Sequence, residues 1–189
     1  MARWMRARCL SAVLGHRRTM PYQLFHDLFP EMAGKETRTI TVFGRRSKTG
    51  LPPGEYAFCE MFCDEPGCDC RRVFFYVVAS FRKRCEAVIA WGWESPEFYA
   101  KWFHHDDPEA IAGLMGPCLN IGSPQSELAG PILDLARSVL LKDEAYVERI
   151  KRHYQLFRAM IDGKPVAASR PRKRIRNKIR KARKRKRKA

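Results

Sequence analysis

Cys63-Asp64-Glu65-Pro66-Gly67-Cys68-Asp69-Cys70, followed by Arg71-Arg72 and the run Val73-Phe74-Phe75-Tyr76-Val77-Val78, is the stretch on which the fold turns. Ahead of it, Tyr56, Phe58, Glu60 and Phe62 alternate with Ala57, Cys59, Met61 and Cys63. Period-two alternation puts these two sets on opposite faces of a strand over Glu55–Cys63. Behind it, the unbroken apolar run suits a central strand buried on both faces. Between them, Pro66-Gly67 reverses the chain. Three of the seven cysteines therefore sit in a tight loop joining two strand ends.

Reading outward, Thr37–Phe43 alternates and predicts another strand, with a Gly/Pro-rich loop over 44–54. Arg82-Lys83-Arg84 is a polar hairpin connection, and Glu86–Trp93 returns as a fourth strand. Short links between successive strands predict an antiparallel four-stranded meander. Helical signals follow. Ser95-Pro96-Glu97 and Asp107-Pro108-Glu109 each set a capping side chain before a first-turn proline, and Ser123-Pro124 repeats the pattern. Gly130-Pro131 breaks or restarts that helix. Asp143 caps a last helix in which Tyr146, Val147, Ile150, Tyr154, Phe157 and Ile161 keep helical spacing. Near the start, Tyr22, Leu24, Phe25, Leu28 and Phe29 predict a short amphipathic turn or helix ending at Pro30. The class is α+β, with the C-terminal helices on one sheet face. Trp91, Trp93, Phe98, Tyr99, Trp102 and Phe103 read as core at the sheet-to-helix junction.

The net charge of +17 belongs to the ends of the chain. Of 37 basic residues, fourteen lie in 170–189 and five in 1–19, neither of which holds an acid. The body between them keeps 18 basic residues against all 20 acidic ones. Three parts follow: a basic N-terminal extension over 1–19, disordered or upstream of a true start at Met20; an α+β domain over 20–164; and a disordered Lys/Arg-rich tail over 165–189. The apolar run Cys9–Leu14 is too short to span a membrane. With no secretory signal recognised and an odd cysteine count, the thiols are expected in a reducing, cytoplasmic setting and in use for metal.

Zinc holds sulfur at about 2.3 Å, which sets ligand sulfurs roughly 3.8 Å apart across a tetrahedron. Cys68 and Cys70 share a turn that Gly67 allows to curl, and the Pro-Gly reversal brings Cys63 back to them. Cys59 fails this test, because four extended residues put it about 13 Å from Cys63; it is expected within the sheet. One position is then left to fill, from Cys118, His104, His105, His26, Asp64 or Asp69. Cys118, after the turn Gly116-Pro117, completes the expected set Cys63, Cys68, Cys70 and Cys118. Four protein ligands make a structural site, whereas three plus water make a catalytic one.

The runs Cys-Asp-Glu-Pro-Gly-Cys-Asp-Cys-Arg-Arg-Val (63–73) and Trp-Gly-Trp-Glu-Ser-Pro-Glu-Phe-Tyr (91–99) resemble those of a group of uncharacterised bacterial proteins of similar length. The resemblance covers roughly Thr37 to Phe157. It implies one domain and a bacterial cytoplasmic setting, and it implies no activity.

His104-His105-Asp106-Asp107 is the one cluster with the residue types of an active site, although Asp107 already has a capping role. No phosphate-cradling glycine loop, nucleophile elbow or His-Glu-x-x-His helix is present. The tail residues Arg172, Lys173, Arg174, Arg176, Lys178, Arg180, Lys181, Arg183, Lys184, Arg185, Lys186, Arg187 and Lys188 suit non-specific electrostatic contact with DNA or RNA. The leading expectation is a zinc-stabilised protein whose tail binds nucleic acid. The alternatives are a metal-dependent enzyme, using an open cysteine site or the His104–Asp107 cluster, and a protein-interaction module with a solubilising tail.

Overall fold

Strand β3, Gly54–Cys63, is the axis of the sheet. The computed structural model of the protein describes residues 22–44 and 49–163. On one side β3 pairs with β4 (Arg72–Ala79), in a register that sets Tyr56 against Ala79 and Met61 against Phe74. On its other side two short strands share its length. Strand β1 (Tyr22–Leu24) lies at the Cys63 end, and β2 (Arg38–Val42) lies at the Gly54 end. Strand β5 (Cys85–Gly92) continues the sheet beyond β4, and β6 (Cys118–Leu119) closes that edge against Ile89 and Ala90. All of these pairings are antiparallel. The four strands expected from the sequence are therefore present among six. Strands β1 and β6 are too short to leave a readable alternation.

Helices α1 (Phe25–Leu28) and α2 (Pro30–Glu36) replace the single turn expected near the start. Pro30 opens α2 instead of ending a helix, since a first-turn N–H has no intrahelical partner to lose. Helices α3 (Pro96–Phe103) and α4 (Pro108–Met115) begin where the Ser-Pro and Asp-Pro signals place them. Ser95 Oγ accepts from the Phe98 N–H at 3.4 Å, and Asp107 Oδ1 from the Glu109 N–H at 3.1 Å. Ser123-Pro124 starts no helix. Residues 120–126 instead run along the open edge of β5, where the Gln125 amide accepts from Val88 N–H and donates to Val88 C=O, both at 3.1 Å. A side chain there takes the place of a strand partner. Helix α5 (Ala129–Ser138) begins later, with Pro131 inside its first turn, and a 3-10 turn (Leu140–Lys142) leads to α6 (Glu144–Ile161). Asp143 caps α6 through the Tyr146 N–H at 3.1 Å.

The largest cluster of buried side chains joins Tyr56, Phe58 and Phe62 of β3, Val73, Phe75 and Val77 of β4 and Ile89 of β5 to the helices. Ile132, Leu135 and Ala136 come from α5, Tyr146, Ile150, Tyr154 and Phe157 from α6, and Phe25 from α1. Trp91 and Trp93 pack against this cluster and are partly buried. Two smaller clusters, one of Leu24, Ala57, Cys59 and Val78, the other of Phe74, Val88 and Ala90, come from the alternate positions of the strands. At the end of β5, Gly92 lets α3 and α4 approach: a Cβ there would lie 2.1 Å from the Tyr99 hydroxyl oxygen and 2.9 Å from the Leu114 carbonyl oxygen.

One buried polar pair interrupts the main core. His153 of α6 sets Nδ1 2.7 Å from Glu60 Oε2 of β3, and its Nε2 lies 3.2 Å from Glu36 Oε2 of α2. The His153 side chain is 1 % exposed and that of Glu60 4 %. The Phe25 ring stacks on the imidazole at 4.3 Å. Arg152 reaches the outer carboxylate, Glu36. Three elements far apart in sequence are thus tied through one imidazole.

Among the described residues no helix is long and apolar enough to cross a membrane. The N-terminal extension and the tail, with all thirteen cations expected to touch nucleic acid, lie outside the described residues.

Candidate metal centre

The end of β3, the Pro66-Gly67 turn and the start of β4 bring Cys63, Cys68 and Cys70 together. Their sulfurs all lie within 4.8 Å of one another. Gly67 takes φ +77, and Arg71, just past the last cysteine, takes φ +47, a left-handed conformation that costs a non-glycine residue energy. Surrounding bonds hold Arg71 there. Its N–H donates to the Tyr154 hydroxyl at 3.3 Å, and its carbonyl accepts from the Tyr99 hydroxyl at 2.9 Å. Its guanidinium bridges both Asp69 oxygens, at 3.0 and 2.9 Å, and Glu94 Oε1 at 3.2 Å, and lies over the Phe98 ring. The loop itself closes with a bond from Cys68 N–H to Glu65 C=O at 3.2 Å.

Cys63 and Cys70 are buried and Cys68 is half-buried. Hydrogen bonding with the Cys70 thiol is the main cause that lowers the Cys63 pKa from 9.0 to about 6, opposed by burial and aided by Glu65 backbone, Cys68 and the Arg158 charge. The Cys70 thiol is pushed up, first by its bond to Cys63 and then by burial; Cys68 is raised, chiefly by burial. Among the three, one site carries the thiolate and two carry protons. The Cys63 contribution to stability is complete above the ordinary thiol pKa and is lost as pH falls through about 6. The Cys68 and Cys70 contributions are present below that ordinary value and are lost as pH rises above it. In metal-free protein the ultraviolet absorbance of thiolate is expected to rise by one equivalent near pH 6, and Cys63→Ser is expected to abolish that step. A first step near the ordinary thiol pKa would show that the triad does not share its protons.

Cys118, expected as the fourth ligand, is not among the thiols gathered here. It lies on β6, paired with Ala90, and its thiol donates to the Gly113 carbonyl at 3.4 Å. Strands β4 and β5 lie between β6 and β3, whose end carries Cys63. Cys59 is buried on the sheet opposite Tyr76, as its extended strand required. His104 ends α3 in a left-handed conformation at φ +56, and His105 Nδ1 accepts from the Asp107 N–H at 3.1 Å. That sequence cluster is an exposed connection between two helices, with Asp107 engaged in capping. His26 is buried on α1, and Asp69 is bonded to Arg71 and Tyr154. Among the described residues neither His26 nor either loop acid joins the thiol group.

Sequence reading missed the residues that hold the loop. Tyr154, Arg158 and Asp162 stand at successive turns of one α6 face. Arg158 Nη1 donates to the carbonyls of Cys63 and Glu65, at 2.9 and 3.0 Å, and its Nη2 pairs with Asp162. Asp162 Oδ1 accepts from the Gly67 N–H at 2.9 Å. Tyr22 was also missed. It stands opposite Cys63 in the β1–β3 register, its ring lies 3.9 Å from that of Phe74, and burial pushes its phenol up to about 12. The one available signal was an arginine inside the apolar stripe of α6.

No protein-family model, curated protein or solved structure matches this chain. Its chemistry must be read from the site.

Proposed function

We propose that Cys63, Cys68 and Cys70 bind a zinc ion that ties the end of β3 to the start of β4, and that the basic C-terminal segment binds nucleic acid electrostatically. The convergence of three sulfurs within 4.8 Å supports the metal part. Thiolate donors favour soft or borderline ions, and zinc demands no redox chemistry of them. Sulfurs already so close need contract by only about 1 Å to meet the tetrahedral spacing. The nearby guanidinium of Arg158 offsets the negative charge that three thiolates bring to one divalent ion. Fourteen cations in 170–189 support the second part, since each phosphate neutralised releases counterions and steepens the salt dependence.

Metal content of the purified full chain tests the first part. About one zinc per chain is expected, and a chain without stoichiometric metal, unchanged in stability by a chelator, would refute it. Truncation after Lys164 tests the second, with affinity for a mixed-sequence DNA and RNA duplex measured against salt. The truncated chain is expected to lose most of the affinity and of the salt slope; retention of both would refute the tail's role. A second reading, a metal-dependent enzyme with an open coordination position, is favoured by the three ligands among the described residues. Zinc-edge X-ray absorption separates the two: four protein ligands mark a structural clip, and three with a water oxygen mark a catalytic centre.

A further inference from the structure

The last turn of α6 is built partly from the cysteine loop. Arg158 is 8 % exposed, and its guanidinium holds the carbonyls of Cys63 and Glu65. Asp162, four residues on, accepts from the Gly67 N–H, one residue ahead of Cys68. Asp162 is also the residue that ends the helix, with its backbone N–H donated to the Arg158 carbonyl at 2.8 Å. The two residues whose side chains orient the backbone at two of the three thiols therefore also stand at the end of the helix. Tyr154, one turn earlier, holds the third side of the loop through Arg71 and Asp69.

Resting on the zinc reading, we propose that Arg158 and Asp162 are positioning residues for the metal, and that metal occupancy orders the last turn of α6. The physical basis is reciprocity: if an ordered turn raises metal affinity by some factor, bound metal favours the ordered turn by the same factor. Groups that orient metal ligands without touching the ion typically alter affinity 10–100-fold when lost. The sequence beyond this turn, from Lys164 onward, leads into the basic segment, so the turn joins the two halves of the proposed function.

The test uses the full chain, metal-free and reloaded with zinc or cobalt. Arg158→Gln is expected to weaken zinc binding by about 10–100-fold at unchanged stoichiometry. Asp162→Asn should weaken it less, and Arg158→Lys, which keeps the charge and donors to the two carbonyls, should recover most of the loss. The cobalt–thiolate absorption bands should shift in Arg158→Gln and return in Arg158→Lys, which a merely structural role would not produce. Amide exchange over 158–163 should slow on adding zinc to wild type. Zinc affinity within twofold of wild type in both Arg158→Gln and Asp162→Asn, or exchange over 158–163 indifferent to zinc, would overturn the inference. Should Arg158→Gln fail to fold, the zinc affinity of Asp162→Asn and the wild-type exchange over 158–163 decide it. A wild-type chain that takes up neither zinc nor cobalt would instead overturn the zinc reading, and this inference with it.

Discussion

Replacing His153 with alanine is expected to destabilise the folded protein by about 3–5 kcal/mol, measured by urea unfolding. The size comes from what the substitution leaves behind. Glu60 is buried on the apolar face of β3, between Phe58 and Phe62, and His153 Nδ1 is 2.7 Å from its carboxylate. Without the imidazole, the Glu60 carboxyl is left in the core without that hydrogen-bond partner. Tyr146 offers little relief. Burial, and then the Glu60 charge, push its phenol well above the usual range, so it keeps its proton and brings no positive charge to replace the imidazole. Packing is lost as well, since the Phe25 ring stacks on the imidazole. Leu in place of both His153 and Glu60 should bring stability nearer wild type than either single replacement, because a buried pair is often matched by apolar groups of similar volume. Glu36 tolerates the change, being partly exposed and paired with Arg152. A single His153→Ala cost under about 1 kcal/mol would mean that water reaches Glu60 and replaces the imidazole.

The same pair shows where sequence reading stops. Alternation placed Glu60 on the core face with Tyr56, Phe58 and Phe62, and helical spacing placed Tyr154 and Phe157 on the core face of α6. Each element was legible because its periodicity is local. Their conjunction was not, since 93 residues separate Glu60 from His153 and nothing in either window refers to the other. Proline signals divide in the same way. Ser95-Pro96 and Asp107-Pro108 start helices because a capping oxygen and a helix-compatible segment coincide there. At Ser123-Pro124 the unpaired edge of β5 competes for the backbone and wins, with Gln125 bonded to Val88.

The cysteine site divides along that line too. Cys63, Cys68 and Cys70 lie within eight residues, and one Pro-Gly reversal is enough to gather them, so the triad was readable. Assigning Cys118 required knowing which sheet edge receives the chain after α4, a property of topology that spacing does not carry. Arg158 and Asp162 were hidden for the same reason: each reaches the loop across about ninety residues. The strained φ of Arg71 was invisible because the residue type argues against it; only the bonds from Tyr99, to Tyr154 and to Asp69 over-determine that conformation.

Cys70→Ser is expected to abolish stoichiometric zinc while Cys118→Ser keeps it, and this contrast separates a built site from a chain that is merely rich in thiols. Cys70 is as confined as Cys63, each 4 % exposed, and the two thiols are hydrogen-bonded to one another. Serine keeps the volume nearly constant but offers an alcohol that does not ionise near neutral pH, so one anionic ligand is removed without a cavity. Two thiolates then remain, one of them half-buried, and affinity should fall by several orders of magnitude, given the roughly 10–16 kcal/mol that complete zinc sites supply in small peptides. Unlike those peptides, this domain should not unfold with its metal. Its main core runs through β3, β4, β5, α5 and α6 without the loop, and Arg158, Asp162 and Tyr154 hold the loop by hydrogen bonds that need no ion. Far-ultraviolet circular dichroism of Cys70→Ser should therefore match wild type, while its loop amides over 63–71 exchange faster and its melting temperature falls. Global unfolding of Cys70→Ser would make the metal part of the core, contrary to this packing. Zinc retained at one per chain would remove Cys70 from the ligand set, and zinc lost equally from Cys118→Ser would return that residue to it.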